Sequence, residues 1–256
     1  MTSFRSLHHQ TLPLVLPNAW DVASALAFVD AGFPAIGTTS FGVAAALGNP
    51  DGGRATKAAT FALVRALSRL PVHVTADIED GYSDDPQEVA AYVEGLEIAG
   101  INIEDSVSEQ LIEPDLHAAK ISAIKNADPD VFVNARVDTY WLKQHADIDS
   151  TLERAHEYVI AGADGIFIPG ATDPAELQRF AAEIAAPVNV LAHPTITRTE
   201  LGALGIRRIS TGSLPYRAAI DAAVTVAAKV RDGARTPAAT GYPEMQGRLV
   251  RYSATD

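Results

Sequence analysis

The chain has 256 residues, 47% of them hydrophobic and 20% charged, which is enough to bury a sizeable core as one large α/β domain or two small ones. A formal net charge of -12 argues against nucleic acid or an anionic membrane as a partner, and the lack of cysteine excludes disulfides and thiolate metal sites. No segment is apolar for long enough to span a bilayer, and the start lacks the basic, apolar and small-residue regions of a signal peptide, so a cytoplasmic protein is expected.

In chain order, short runs rich in Val, Ile and Phe predict strands at LVLPN (14–18), AIGTTS (35–40), VHVTAD (72–77) and INIED (101–105). VFVNAR (131–136), GIFIP (165–169), VNVLA (188–192) and RRIST (207–211) continue the series. Between them lie stretches of helical periodicity, among them DVASALAFVDAG, DPQEVAAYVEGLEIAG, STLERAHEYVIAGAD and DPAELQRFAAEIA. Two of these open on Asp-Pro, a capping residue followed by proline in the first turn, and several close on glycine. LPYRAAIDAAVTVAAKVRDG predicts a further helix, apolar enough to need cover on more than one face.

Eight β–α units in one chain of this length predict an α/β protein of the (β/α)₈ TIM-barrel class. We read residues 1–256 as a single barrel domain, with 233–256 as a C-terminal appendage. An open doubly wound sheet would call for a glycine-rich phosphate turn after its first strand, and LPNAWDVASA is not one.

Active sites of such barrels lie at the C-terminal ends of the strands. Those ends carry Asn18 and Asp21, Thr39 and Ser40, Asp77 and Glu79, Glu104 and Asp105, Arg136 and Asp138, His193 and Ser213. Asp77 and Glu79 stand two apart, so on an extended chain they share a face, and Glu104 from the next strand could join them. Carboxylates gathered without cysteine suit a hard, oxygen-loving cation, Mg²⁺ or alternatively Mn²⁺. Arg136, directly after a buried strand, needs an anionic substrate or an ion pair with Glu104 or Asp138. Asp84 and Asp85 read as a solvated, helix-capping turn, His117 as a surface residue and His73 as lying at the opposite end of the barrel. Trp20 and Trp141 flank strand ends, where packing explains them as well as stacking on a ligand would.

NAWDVASA, GTTSFGVAAALGNPDGG, ADIEDGY, GINIEDS, VNARVD, AGADGIFIPG, PVNVLA and LGIRRISTGS follow one another in an order and spacing that resembles the isocitrate lyase/phosphoenolpyruvate mutase superfamily. The resemblance runs from about residue 13 to 220. It implies a metal motif at Asp77, Glu79 and the residues up to Tyr82, with Glu79 in place of the usual second Asp. It implies that Asp77 binds Mg²⁺ directly, that Asp51, Glu79 and Glu104 hold its waters, and that Arg136 contacts the substrate. It also implies that Thr39, Ser40 and Phe41 grip a substrate carboxylate through backbone N–H groups.

The departures narrow the reaction. VSEQLIEPDLHAAK, where isocitrate-type lyases carry a lid with a cysteine, has neither that cysteine nor the Lys and Asn of the phosphonomutase loop. Pro169 stands where phosphonomutases have a histidine. The expectation is therefore an Mg²⁺-dependent enzyme acting on a small 2-oxo or 2-hydroxy carboxylate through an enolate, by C–C cleavage rather than phosphoryl migration. The alternatives are a phosphonopyruvate-type mutase and a non-catalytic oxo-acid binding protein. Tyr82, His193 and Glu109 are the acid/base candidates, and acidic Glu109 and Glu113 are expected to disfavour tight closure over an anionic substrate. The superfamily's habit of exchanging the eighth barrel helix implies a homodimer or a homotetramer.

Overall fold

The computed structural model describes residues 2–254. Eleven strands and twelve helices follow in turn. The chain opens with α1 (Phe4–Leu7), β1 (Leu14–Leu16), β2 (Asn18–Ala19), α2 (Val22–Asp30), β3 (Ala35–Thr38), α3 (Ser40–Ala46), α4 (Lys57–Leu67) and β4 (His73–Asp77). Then come α5 (Pro86–Glu94), β5 (Gly100–Glu104), β6 (Ser106–Val107), β7 (Gln110–Leu111), α6 (Pro114–Ala127), β8 (Phe132–Arg136), α7 (Thr139–Leu142) and α8 (Ile148–Ile160). The remainder is β9 (Gly165–Phe167), α9 (Pro174–Glu183), β10 (Val188–Leu191), α10 (Arg198–Ala203), β11 (Arg208–Ser210), α11 (Leu214–Arg231) and α12 (Tyr242–Ser253).

Nine strands form one parallel sheet in the order β1-β11-β10-β9-β8-β5-β4-β3-β2. β1 and β2 are two halves of one strand broken at Pro17, which has no N–H for a ladder. The first half pairs with β11 (Leu14 opposite Arg208) and the second with β3 (Asn18 opposite Gly37). Nine strands less this one division make the eight of a (β/α)₈ barrel, closed through the first strand.

The main core lies between the strands and the surrounding helices, with Ile101, Ile103, Val133, Ile166, Leu177 and Phe180 among its buried members. At the N-terminal end α1 forms a plug, where Phe4 and Leu7 pack with Leu14, Leu16 and Phe132, and the His8 ring stacks on Phe132 at 4.2 Å. Both Asp-Pro helix starts form as predicted. Asp85 accepts from Gln87 N at 2.8 Å, and Asp173 accepts from Ala175 N at 2.9 Å and Glu176 N at 3.1 Å.

Two helices follow the last strand. α11 has no buried residue, and Leu214, Ile220, Val224 and Val230 are exposed along it. α12 returns to the barrel, with Tyr252 packed against the buried cluster that includes Ala25, Leu67 and Leu70 and its hydroxyl donating to Ala66 O at 2.9 Å. No helix among the described residues is long and apolar enough to cross a membrane.

Candidate active site

A cavity of about 190 Å³ opens at the C-terminal ends of the strands. That is below the ~300–1,000 Å³ of pockets for drug-sized ligands, and so fits a small molecule. Asp51, Asp77, Ser40, Asn102 and Arg136 are among its polar lining, and Trp141, Phe167, Pro169, Leu191 and Leu214 supply apolar lining.

Asp77 ends β4, where the strand hands over to a turn and the carboxylate reaches the open end of the barrel. Its Oδ2 accepts from Ser40 N at 3.1 Å. Asp51 comes from the exposed loop after α3, and its carboxyl meets the Ser40 side chain, so Ser40 touches both acids. Burial and then the Asp77 charge push the Asp51 carboxyl above the usual carboxylate range.

Glu79 and Glu104 stand behind this pair rather than on the pocket wall. The same-face argument for Glu79 does not hold, because the strand ends at Asp77 and Glu79 has φ +50°, outside the extended conformation that alternation requires. Its carboxylate instead accepts from Arg54 N at 2.7 Å and from the Thr56 hydroxyl at 2.5 Å. Burial raises its proton affinity, and the charges of Asp77 and Asp51 raise it further. Glu104 is raised well above the carboxylate range by burial, which outweighs the opposing charge of Arg136 at 2.8 Å.

Arg136 makes both of the ion pairs that the sequence offered as alternatives. Nη1 meets Glu104 at 2.8 Å and Nε meets Asp138 at 2.6 Å. It also lines the pocket, with its guanidinium carbon 5.6 Å from the Trp141 ring centre and 6.0 Å from that of Phe167. Burial works against its charge, but Asp138 and Glu104 more than offset this and hold it protonated.

Of the three amides expected to grip a carboxylate, two already donate within the protein. Thr39 N bonds Ala19 O at 3.1 Å and Ser40 N bonds Asp77, while Phe41 lies in the first turn of α3. The Thr39, Ser40 and Phe41 residues all line the pocket.

The acid/base candidates lie elsewhere. The Tyr82 hydroxyl is buried behind Glu79, 3.0 Å from the Thr56 hydroxyl and 3.2 Å from that of Thr60, because φ +63° at Tyr82 turns the chain inward. Burial raises its proton affinity above the ordinary phenol value. His193 is half-buried, and its Nδ1 accepts from Thr195 N at 3.1 Å and Ile196 N at 3.0 Å, which organises the loop before α10. Glu109 sits at the tip of the β6–β7 hairpin with φ +62°. None of the three lines the pocket. His117, expected at the surface, is fully buried against Tyr158 at a 4.6 Å ring separation, because it lies on the inward face of α6.

A family model described as phosphoenolpyruvate phosphomutase matches residues 4–231. The chain belongs to this family. It thereby falls in the isocitrate lyase/phosphoenolpyruvate mutase superfamily, whose members include lyases, hydrolases and mutases. It is 58% identical over 250 residues to an uncharacterised protein of Mycobacterium tuberculosis, covering 98% of this chain and 97% of that one. It is 30% identical to an oxaloacetate decarboxylase of Rhodopseudomonas palustris, covering 83% of this chain and 78% of the relative. The structure of phosphoenolpyruvate phosphomutase from Streptomyces platensis subsp. rosaceus superposes with a TM-score of 0.85 at 26% identity, covering 98% and 96% of the two chains.

Arg54, Lys120 and Asn102 carried no sequence signal strong enough to find them, and Asp80, inside the predicted metal motif, serves as an ion-pair partner. Asp80 is buried between two cations, with Arg54 Nε at 2.9 Å and Lys120 Nζ at 3.0 Å, which ties the Asp51 loop and α6 to the turn after β4. Lys120 lies on a helix and Arg54 on a glycine-rich loop, and only the fold brings them together. Asn102 lies inside a strand that reads as continuous apolar core, yet it lines the pocket.

The donor set fits a hard divalent cation. Every candidate is a carboxylate oxygen, and burial and mutual repulsion raise the proton affinity of Asp51, Glu79 and Glu104, which is the strain a cation relieves. Among the described residues no three His, Cys, Asp or Glu side chains converge as direct ligands.

Proposed function

We propose that the protein is an Mg²⁺-dependent enzyme that cleaves a C–C bond in a small 2-oxo or 2-hydroxy carboxylate, with decarboxylation of a 2-oxo diacid as the reaction that suits this pocket best. The observation that carries the reading is the pairing of Asp51 and Asp77 with the Arg136 guanidinium across one small cavity. Asp77 would hold the metal directly, with Asp51 beside it and Glu79 and Glu104 acting through water. When bound, Mg²⁺ supplies Lewis-acid stabilisation of enolate charge.

The protein's own groups do the remainder. Arg136 is locked between Glu104 and Asp138 and so presents its free edge to a substrate carboxylate without reorganising. Trp141, Phe167, Leu191 and Leu214 give the bond that breaks an apolar side, while Trp141 and Leu214, about half exposed, leave the mouth open to solvent. Arg217, in the first turn of α11, adds positive charge at the rim for a second carboxylate.

The described lining residues include no His, Tyr, Lys or Cys. Retro-aldol cleavage of a 2-hydroxy acid needs a base to take the hydroxyl proton. Loss of CO₂ leaves its electron pair on the enolate without prior proton removal, and solvent can then protonate the carbon. This favours decarboxylation. Pro169 on the wall, in the place of a proton-carrying side chain, supports C–C chemistry over phosphoryl migration.

Incubation with oxaloacetate, 2-methylisocitrate, dimethylmalate and phosphonopyruvate, with products identified by NMR, tests the assignment. Pyruvate from oxaloacetate, faster than the Mg²⁺-only background, is the expected result. Turnover of phosphonopyruvate alone would move the protein to the mutase or hydrolase branch. Oxalate binding that needs Mg²⁺, without turnover of any of the four, would make it a binding protein.

A further inference from the structure

We propose that Asn102 donates a hydrogen bond from the pocket floor to an anionic oxygen of the substrate, and that the buried Arg208 is the positioning residue that fixes and polarises it. This rests on the reading of the pocket as an oxo-acid site.

Arg208 is the largest fully buried side chain among the described residues. It sits inside the barrel on β11, opposite Asn189 on β10 and Leu14 on β1. No carboxylate pairs with it among the described residues. Among the described residues its one side-chain hydrogen bond runs from Nη2 to Asn102 Oδ1 at 3.0 Å, while Nε and Nη1 have no acceptor there. Burial lowers its pKa to about 9, an effect that Asp77 partly opposes, so the guanidinium remains charged at neutral pH. A desolvated, unpaired cation is strongly unfavourable unless something nearby uses its field. What lies above it is the floor of the pocket.

Asn102 is 5% exposed and lines that pocket, opposite Asp77 in the β4–β5 register. Its Oδ1 accepts twice, from Arg208 and from Asn134 Nδ2 at 2.8 Å. Two donors meeting on one atom settle which end of the amide is oxygen. The –NH₂ end is thereby left as the group without an acceptor among the described residues. A cation on the amide oxygen also withdraws electron density and makes that N–H a better donor. The floor thus offers a fixed, polarised donor beside the acidic cluster, backed by a positive charge that cannot be screened by solvent.

Titration calorimetry with oxalate as the probe, at saturating Mg²⁺, tests this on the wild type, Asn102→Leu, Asn102→Asp, Arg208→Met and the Asn102→Leu/Arg208→Met pair. We expect each of Asn102→Leu and Arg208→Met to weaken oxalate by about tenfold, the loss of one charge-assisted hydrogen bond, and the pair to be no weaker than Asn102→Leu alone. Asn102→Asp should lose at least as much affinity yet hold or raise Tm, since its carboxylate would pair with Arg208. A purely structural role would move affinity and stability together.

A folded Asn102→Leu protein that binds oxalate like the wild type overturns the proposal, as does retained binding by Asn102→Asp or independent, multiplying losses in the pair. Should Arg208→Met not fold, the two Asn102 variants decide. Wild-type protein that fails to bind oxalate with Mg²⁺ removes the oxo-acid reading and this proposal together. Wild-type binding with unaffected variants removes this proposal alone.

Discussion

Asp77→Ala removes the carboxylate best placed to bind a cation directly, while leaving the apolar core of the barrel untouched. Mg²⁺-dependent oxalate binding should fall by more than ~100-fold, beyond the ~10–100-fold typical of supporting residues around a metal. Glu79→Asp shortens a side chain whose oxygens are held by Arg54 N and Thr56, and the expected loss is about tenfold. Calorimetry with Mg²⁺ and oxalate reads both, and undiminished binding by Asp77→Ala would take that residue out of the site. His117 offers a second residue-level test. Burial, with Lys120 and Arg154 nearby, lowers its pKa from 6.5 to about 3, so the native protein keeps the ring neutral. The unfolded chain takes up a proton below about pH 6.5 and the folded one does not until about pH 3, so this group's contribution to stability falls as pH drops through that window. His117→Phe keeps the ring against Tyr158 and removes two buried nitrogens that have no partner. Urea unfolding at pH 7 and pH 5 should show the variant losing about 2 kcal/mol less than the wild type over that interval. Equal losses would mean that His117 is solvated in solution.

At the scale of elements, the segment after β5 is not a loose lid. Residues 106–111 form the β6–β7 hairpin, turned by positive φ at Ser108 and Glu109. The Ser106 hydroxyl to Asp138 at 2.6 Å and Gln144 Nε2 to Glu109 O at 2.9 Å hold it down. Neither Glu109 nor Glu113 lines the pocket. Replacing both by Gln should therefore leave kcat and KM unchanged on whichever substrate turns over. A changed KM would mean that the hairpin closes over bound ligand. The strands themselves were legible, because β-branched runs ending in Gly, Asn or Asp carry a local signal that barrel packing reinforces. Side chains beyond a strand's last residue were not. Alternation stops at Asp77, and left-handed backbone at Glu79, Gly81 and Tyr82 sends those side chains where no period predicts. Asn102 was hidden for the opposite reason. It sits within a regular strand, and one polar residue in an apolar run does not reveal whether it faces the barrel axis or the helices.

For the whole molecule, the open question posed by the fold is what covers α11. A helix of 18 residues with none buried, and with Ile220, Val224 and Val230 exposed on it, is not a stable solvent-facing element. We propose that it packs on a second copy of the chain, giving a dimer or a dimer of dimers. Tyr216, in its first turns, sits 5.4 Å from the Trp20 ring and 6.0 Å from that of Phe41, so assembly would also steady one wall of the pocket. Sedimentation should show a stable oligomer at micromolar concentration that Val224→Glu with Ile220→Glu converts to monomer, and a monomeric wild type would refute the arrangement. The barrel itself was legible from the count and order of β–α units. The docking of α12 on α2 and α4 was not, since it depends on Tyr252 and Arg248 meeting distant partners.

The measurement that bears most directly on the proposed chemistry is pyruvate formation from oxaloacetate, followed with and without Mg²⁺ for the wild type and for Asp77→Ala. The account predicts turnover by the wild type that requires Mg²⁺, and for Asp77→Ala a rate no higher than metal in buffer. Pyruvate formation that persists in Asp77→Ala, or wild-type protein that adds nothing to the metal's own rate, would contradict it.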